Sequence, residues 1–307
     1  MKKITFIITA YNEEQNVIEL FSQIEKSIST QKKYSFDYLF IENGSTDNTF
    51  NNLLDLKANN PAVRIMKLSR NFGFDGGITA GLDIVDSDAA IIMTSNLQDD
   101  PALIPKFIEK WEDGYEMVYG IVKSRPGKSI FRKFNSILYY RLLKFATNGL
   151  IPMDVSDYRL VDKKVIHALR TIRESNRFFR GFFSWVGFNS VGIEFERQQR
   201  FSGESKAKTW KVLGFALRSI FAFSNLPLKV STFFALIFSI LSISLLSIQI
   251  YRWIKFGVPF DGYGTIIGLT LLLAAILFGV LSIISQYVSL IFDETKNRPL
   301  YIIDEIY

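Results

Sequence analysis

Ala89-Ala90-Ile91-Ile92-Met93-Thr94-Ser95-Asn96-Leu97-Gln98-Asp99-Asp100-Pro101 carries an apolar run straight into a cluster of small polar and acidic residues. A short apolar run bounded by turn formers suits a strand covered on both faces. In open α/β sheets ligands bind outside the carboxyl ends of such strands, so the polar tip after Met93 is the first candidate site. The flanking sequence repeats the pattern. Strands are predicted at Ile4 to Thr9, Tyr38 to Ile41, Val63 to Leu68, Ala89 to Met93 and Met117 to Tyr119. Helices fall between them. Val17, Leu20, Phe21, Ile24 and Ile28 mark one over Glu14 to Ser29, and Ser45, Thr46 and Asp47 can cap a second that runs to about Asn59. Ile78 to Val85 forms the heart of a third, and Pro101 opens a fourth. Strict alternation of this kind predicts an α/β fold with a mainly parallel, doubly wound sheet.

The chain has 307 residues, and its 48% hydrophobic content is concentrated towards the C-terminus. No charged residue occurs from Val230 to Tyr251, nor from Gly262 to Phe292. Each run exceeds the roughly 20 residues that cross a bilayer core, so two transmembrane helices are predicted, at about 229–252 and 263–291. Two buried core helices would satisfy the same length criterion. The N-terminal apolar run ends at once in Tyr11-Asn12-Glu13-Glu14, too short for a signal peptide, so the first domain is expected in the cytoplasm. There is no cysteine and a single histidine, His167, which leaves neither disulfides nor thiolate or histidine metal sites. Lys and Arg, for a net charge of +6, keep company with aromatic and aliphatic residues. An anionic membrane surface and phosphorylated substrates fit that distribution better than nucleic acid does.

Basic and aromatic residues share two stretches, near 128–148 and 207–225. Each suits an interfacial helix with its apolar side in the lipid boundary, and each equally suits an amphipathic helix lying on the sheet. The predicted organisation is therefore a domain over 1–226, two spans over 227–293, and a cytoplasmic tail over 294–307. Lys206, Lys208, Lys211, Arg218 and Lys229 place the domain side inside, although Arg252 and Lys255 dilute the bias.

Several short motifs occur in a telling order: Thr9-Ala10-Tyr11-Asn12-Glu13-Glu14, Leu68-Ser69-Arg70-Asn71-Phe72-Gly73 with Thr79-Ala80-Gly81-Leu82-Asp83, Leu97-Gln98-Asp99, Asp157-Tyr158-Arg159-Leu160, Asn176-Arg177-Phe178 and Gly203-Glu204-Ser205-Lys206. Together they resemble the family 2 glycosyltransferases of GT-A fold. More narrowly they resemble the bacterial polyisoprenyl-phosphate (bactoprenol) type, kin of dolichol-phosphate mannose synthase. The resemblance implies inverting transfer of a sugar from a nucleotide-sugar donor, UDP-linked and glucose-like, to undecaprenyl phosphate. It implies a multi-pass protein of the bacterial cytoplasmic membrane, its catalytic domain facing the cytoplasm. The lipid-linked sugar would serve surface polysaccharide (O-antigen or cell wall) modification after a separate flippase turns it outward. Membrane lipids and a homo-oligomer, with the tail against a neighbour, complete the implied partners.

By the same resemblance Tyr11, Glu13, Glu42, Asn43, Asn71, Gly73, Asn96, Gln98 and Asp99 bind the nucleotide sugar, and Asp157 is the catalytic carboxylate. Arg125, Arg132, Arg200, Ser205 and Lys206 bind the diphosphate or the lipid phosphate. Glu42-Asn43-Gly44-Ser45 would in any case form a turn and helix cap. The physical demand is independent of the name. Charge grows on the diphosphate as the glycosidic bond breaks and needs cations or oriented donors, whereas a phosphate acceptor, with a second pKa of about 6, is already ionised. Relatives carry Asp-x-Asp-x-Gln where this chain has Thr94-Ser95-Asn96-Leu97-Gln98. A hard Mg²⁺ or Mn²⁺ ion prefers charged oxygens, and Asn96 and Gln98 offer only neutral ones. The metal site is expected to be weak or absent unless Asp99 reaches inward. The loss of both acids also motivates a different class, a degenerate, non-catalytic protein that binds sugar nucleotide or lipid phosphate.

Overall fold

The computed structural model describes residues 1–124, 141, 155–197, scattered positions between 228 and 257, and 262–307. It divides into two compact units, Met1–Ala216 with Asn297–Tyr307, and Leu217–Lys296.

In the first unit the parallel core is built from β1 (Lys2–Ala10), β2 (Tyr34–Glu42), β3 (Val63–Leu68) and β4 (Ala89–Thr94), connected by α1 (Val17–Ile28), α2 (Thr49–Asn59) and α3 (Gly73–Ile84). A 3-10 turn at Pro101–Leu103, α4 (Ile104–Glu112) and β5 (Met117–Ser124) follow; then come β6 (Val155–Asp162), α5 (Lys163–Thr171), α6 (Phe179–Trp185) and β7 (Ser190–Glu196). Strand β8 (Ile303–Ile306) closes one edge of an eight-stranded sheet of order β7-β5-β6-β4-β1-β2-β3-β8. The central pairs run parallel, as the alternation of strand and helix predicts, while β6 and β8 run antiparallel to their neighbours.

Alternation along β1 explains the layers. Ile4, Phe6 and Ile8 belong to one apolar cluster with α1 residues Val17, Leu20 and Ile24 and α4 residues Phe107 and Ile108. Ile7 faces the opposite layer, where α3 lies so close that a Cβ on Gly81 would meet the Ile7 side chain at 2.4 Å. Only glycine permits that approach. Arg170 of α5 donates to the Leu82 carbonyl at 2.6 Å, so α5 shares this second layer. On β6, Tyr158 packs against Phe107 at 4.7 Å between ring centroids, so Asp157 and Arg159 take the second face.

Three predicted boundaries move. Helix α1 begins at Val17 rather than Glu14, because Asn12 has φ 53° and the Glu13 carbonyl accepts from Asn16 and Val17 in a separate turn. Strands β2 and β5 are longer than their apolar runs, since partially exposed residues complete the ladders. The C-terminal stretch joins the sheet: Ile65 and Tyr307 exchange backbone hydrogen bonds of 3.0 and 2.8 Å, and Lys67 pairs with Asp304 at 2.9 Å. Tyr301 donates to Asp83 at 2.9 Å, on α3.

The second unit contains α7 (Tyr263–Thr295), whose segment Leu272–Thr295 is strongly apolar and has no buried side chain among those described. Among the described residues it is the one helix long and apolar enough to cross a membrane. The positions described between 228 and 256 are helical, but most of the predicted first span, like both predicted interfacial helices, lies outside the described residues.

Candidate active site at the strand tips

The parallel core brings the carboxyl ends of β1, β2, β3 and β4 to one end of the sheet, where their loops are cross-braced. Asn12 accepts from the Thr46 amide at 2.8 Å and its own amide donates to the Ser45 hydroxyl at 3.1 Å. Asn43 donates to the Gly73 carbonyl at 2.8 Å and accepts from the Phe72 amide at 2.9 Å, which fixes the entrance of α3 against the β2 tip. Gly44 has φ +68°, and a Cβ there would strike the Arg70 backbone at 2.7 Å. Glu42, also buried, accepts from the Ser45 amide at 2.5 Å. Its carboxylate thus forms the turn, as Asn43 forms the brace. Tyr11 and Glu13 sit partly buried beside them, and Asn71, exposed, accepts from the Gly73 amide at 2.7 Å.

At the tip of β4, Leu97 is buried with φ 56°, a left-handed conformation that costs a non-glycine residue about 1 kcal/mol or more. The turn it makes folds the loop onto itself. Asn96 accepts from the Thr94 hydroxyl at 3.0 Å and the Gln98 amide at 3.1 Å, and its side-chain amide donates to the Gln98 side-chain oxygen at 3.3 Å. Asp99 points inward and is 1% exposed. It accepts from Thr94 and Ser156, each at 3.2 Å, and lies 3.7 Å from Arg197. Burial pushes its carboxyl above the usual range, and Asp157 adds to this, against the pull of Arg197 and the two hydroxyls.

Strand β6 runs antiparallel to β4 with Ile92 opposite Arg159, so its first residues return to this same end. Asp157 meets Arg180 of α6 in a two-pronged ion pair of 2.8 and 2.5 Å, with side chains 21% and 25% exposed. Burial alone would raise the Asp157 carboxyl. The charge and hydrogen bonds of Arg180, helped by Arg159 and Arg197, outweigh it and hold the group below its usual range. Phe179, Phe182 and Phe183 anchor α6 in the core around that arginine. Asp75, in the first turn of α3, accepts from the Phe179 amide at 3.3 Å. Burial, then the neighbouring charge of Asp157, push its carboxyl from 3.8 up to about 7.

Asp157 and Asp99, both expected from their motifs, meet in one charged cluster through Arg197 and Ser156. Asp75, Arg180 and Arg197 join them without standing in any of those motifs. A single arginine inside Phe178-Phe179-Arg180-Gly181-Phe182-Phe183 was the available signal, since a cation embedded in aromatics needs a buried anion. Arg125, Arg132, Arg200, Ser205 and Lys206 lie outside the described residues.

A divalent cation does not fit the described part of this tip. The Asn96 and Gln98 oxygens are engaged within the loop, Asp99 is turned towards Arg197, and no three acidic or histidine side chains gather as a metal site among the described residues.

An uncharacterized glycosyltransferase of Synechocystis sp. is 35% identical over 99% of this chain and 96% of its own. The bactoprenol glucosyl transferase of Shigella phage SfX is 32% identical over 98% of each chain. Among solved structures, Mycobacterium tuberculosis glucosyl-3-phosphoglycerate synthase, in complex with Mn²⁺ and UDP-glucose, covers 72% of this chain and 77% of its own at 15% identity, with a TM-score of 0.49. The family model described as Glycosyl transferase family 2 matches residues 5–170, from β1 through α5. Through that match and its full-length relatives, the chain belongs to glycosyl transferase family 2 and is a glycosyltransferase.

Proposed function

We propose that this glycosyltransferase moves a glucose-like hexosyl group from a UDP-linked donor to undecaprenyl phosphate, with inversion at the anomeric carbon, at the cytoplasmic face of a bacterial membrane. The observation that carries the reading is the Asp157–Arg180 pair. A carboxylate held ionised by a guanidinium is a poor proton acceptor at neutral pH. It suits a nucleophile that arrives without a proton to lose, and a phosphate monoester is such a nucleophile. An acceptor phosphate oxygen forms the new bond to the anomeric carbon, the bond from that carbon to the diphosphate oxygen breaks, and the electron pair leaves on UDP. No proton moves. Asp157 then balances charge and orients Arg180, and the strand-tip loops around Tyr11, Glu13, Asn71 and Gly73 receive the nucleoside. The full-length similarity to a protein named bactoprenol glucosyl transferase supports the lipid acceptor.

Chain topology supports a double crossing of the membrane. The chain leaves the first unit after Ala216 and re-enters it at Asn297 to supply β8. If α7 crosses a bilayer, the return to the same sheet requires an even number of crossings, and the apolar run from Val230 to Tyr251 is the available partner. A product made on the cytoplasmic face needs a separate flippase to reach the outer surface. The metal is proposed to be dispensable or weakly bound, since Asn96 and Gln98 offer neutral oxygens and Asp99 is turned towards Arg197. The test is transfer of radiolabelled sugar from a panel of UDP- and GDP-sugars to undecaprenyl phosphate by the full chain in detergent. A lipid-soluble product with one donor is expected. No product with any donor, alongside measurable UDP binding, would overturn the reading and favour a binding protein.

A further inference from the structure

Beside the Asp157–Arg180 pair lies a cavity of about 110 Å³ to which the transfer reaction assigns nothing. That is several times the roughly 10–15 Å³ a single water needs. Arg159, Tyr119, Ser184, Ser190, Phe183 and Phe188 line most of it. Arg159 is 2% exposed, stacks its guanidinium 3.7 Å over the Phe183 ring, and donates to the Ser156 carbonyl at 2.7 Å and the Asp157 carbonyl at 3.3 Å. Those partners are neutral. Among the described residues no carboxylate pairs directly with Arg159, because Asp157 gives both its oxygens to Arg180. Burial is the main cause that lowers the Arg159 pKa to about 9; the Asp157 charge offsets it only in part, and Arg180 adds to it. A buried charge is kept when something pairs with it. Here the wall that could hold a counter-ion also carries the hydroxyls of Tyr119 and Ser190, beside that of Ser184, which donates to the Arg180 carbonyl at 3.3 Å.

We propose that this cavity is a subsite for a phosphoryl oxyanion, its charge met by the Arg159 guanidinium and its oxygens by the lining hydroxyls. A planar guanidinium with several donors matches tetrahedral oxyanions better than a point charge does. The location gives the site meaning. Asp157 and Arg159 are two residues apart on β6, about 7 Å along the strand, and Arg180 and Ser184 are one turn apart on α6, about 6 Å. An oxyanion at Arg159 therefore sits one residue pair away from the Asp157–Arg180 ion pair, on the same face of the sheet. The group could come from a lipid phosphate headgroup or from free phosphate, and the subsite does not depend on which reaction Asp157 serves.

The test is phosphorus NMR line broadening and calorimetric titration of the full chain in detergent with inorganic phosphate, and with chloride as control. The wild type is expected to bind phosphate over chloride. Arg159→Gln is expected to weaken it about tenfold or more. Because that variant removes a buried side chain, Tyr119→Phe/Ser190→Ala is the second arm, expected to weaken phosphate several-fold while UDP affinity stays unchanged. Competition by undecaprenyl phosphate in micelles would identify the headgroup as the source, and no competition would identify free phosphate. Phosphate bound equally by wild type and both variants, or no binding by the wild type at high millimolar concentration, would overturn the subsite.

Discussion

Replacing Asp75 with asparagine should stabilise the protein at neutral pH and not at acid pH. The carboxyl lies in the first turn of α3, accepts from the Phe179 amide at 3.3 Å and feels Asp157, Arg180 and Arg177. Burial and Asp157 push it from 3.8 to about 7. The sign follows from proton binding. Below pH 4 both folded and unfolded chains are protonated at this site, and the group costs nothing. Between about pH 4 and 7 the unfolded chain loses the proton while the folded chain keeps it, so stability falls as pH rises. Above pH 7 the full cost is present: a rise of about 3 pKa units corresponds to about 4 kcal/mol at 1.36 kcal/mol per unit. Asparagine keeps the oxygen that accepts from Phe179 and carries no charge to desolvate. Asp75→Asn should therefore melt higher than wild type by on the order of 10 °C at pH 8, the advantage shrinking steadily to nothing near pH 4. Thermal unfolding of both proteins from pH 4 to 9 measures this directly. Melting curves that stay parallel across the range would refute the argument, because they would mean that Asp75 ionises in the folded protein as readily as in the unfolded chain.

Asp157→Asn should abolish sugar transfer while UDP affinity stays within a few-fold, and a double-mutant cycle with Arg180→Gln should give a stability coupling of about 1–3 kcal/mol; near wild-type turnover of either variant would show the pair to be misassigned. Chelator treatment should leave most of the transfer activity, whereas strict millimolar dependence on Mn²⁺ would contradict the donor set at Asn96 and Gln98. Thr94→Asp/Asn96→Asp should create Mn²⁺ binding detectable by calorimetry, with a melting temperature that rises with metal only in the variant; a variant that stays indifferent to Mn²⁺ would show that these positions do not face a cation. Ending the chain at Lys296 should lower the melting temperature by several degrees, because it removes the β3–β8 ladder, the Lys67–Asp304 pair and the Tyr301–Asp83 hydrogen bond; an unchanged melting temperature would make β8 an accessory edge.

The parallel half of the fold was legible because its strands are buried on both faces, so apolar runs such as Ile4 to Thr9 and Ala89 to Met93 announce themselves. The second half was harder to read. Val155-Ser156-Asp157-Tyr158-Arg159-Leu160 contains a central strand, yet its second face carries a carboxylate and a guanidinium in place of apolar residues. Charge at those positions is what a reader of periodicity takes for a loop. Strand β8 escaped for the opposite reason: three of its four residues are exposed, and its stability comes from long-range pairing with β3, which leaves no local trace.

The same physics governs which site residues could be seen. Asp157 and Asp99 stand in motifs, but their partners lie far along the chain, Arg180 inside a helix of phenylalanines and Arg197 after β7. No spacing rule links them. Their meeting follows from topology: β6 runs antiparallel to β4 and β5, and β7 runs parallel to β5, so the start of β6 and the end of β7 arrive at one end of the sheet. The neutral β4 tip and the arginines belong together on electrostatic grounds. With Thr94 and Asn96 in place of two carboxylates, Asp99 is the acid remaining inside the tip, and Arg197 and two hydroxyls already meet it. Among the described residues the β4 tip gathers no group of acids with which to hold a divalent ion, and the guanidinium groups of Arg180 and Arg197 lie at the same end of the sheet. Acids restored at Thr94 and Asn96 would stand beside a buried Asp99 whose carboxyl burial already pushes up, and a divalent ion is the partner that would relieve that gathered negative charge.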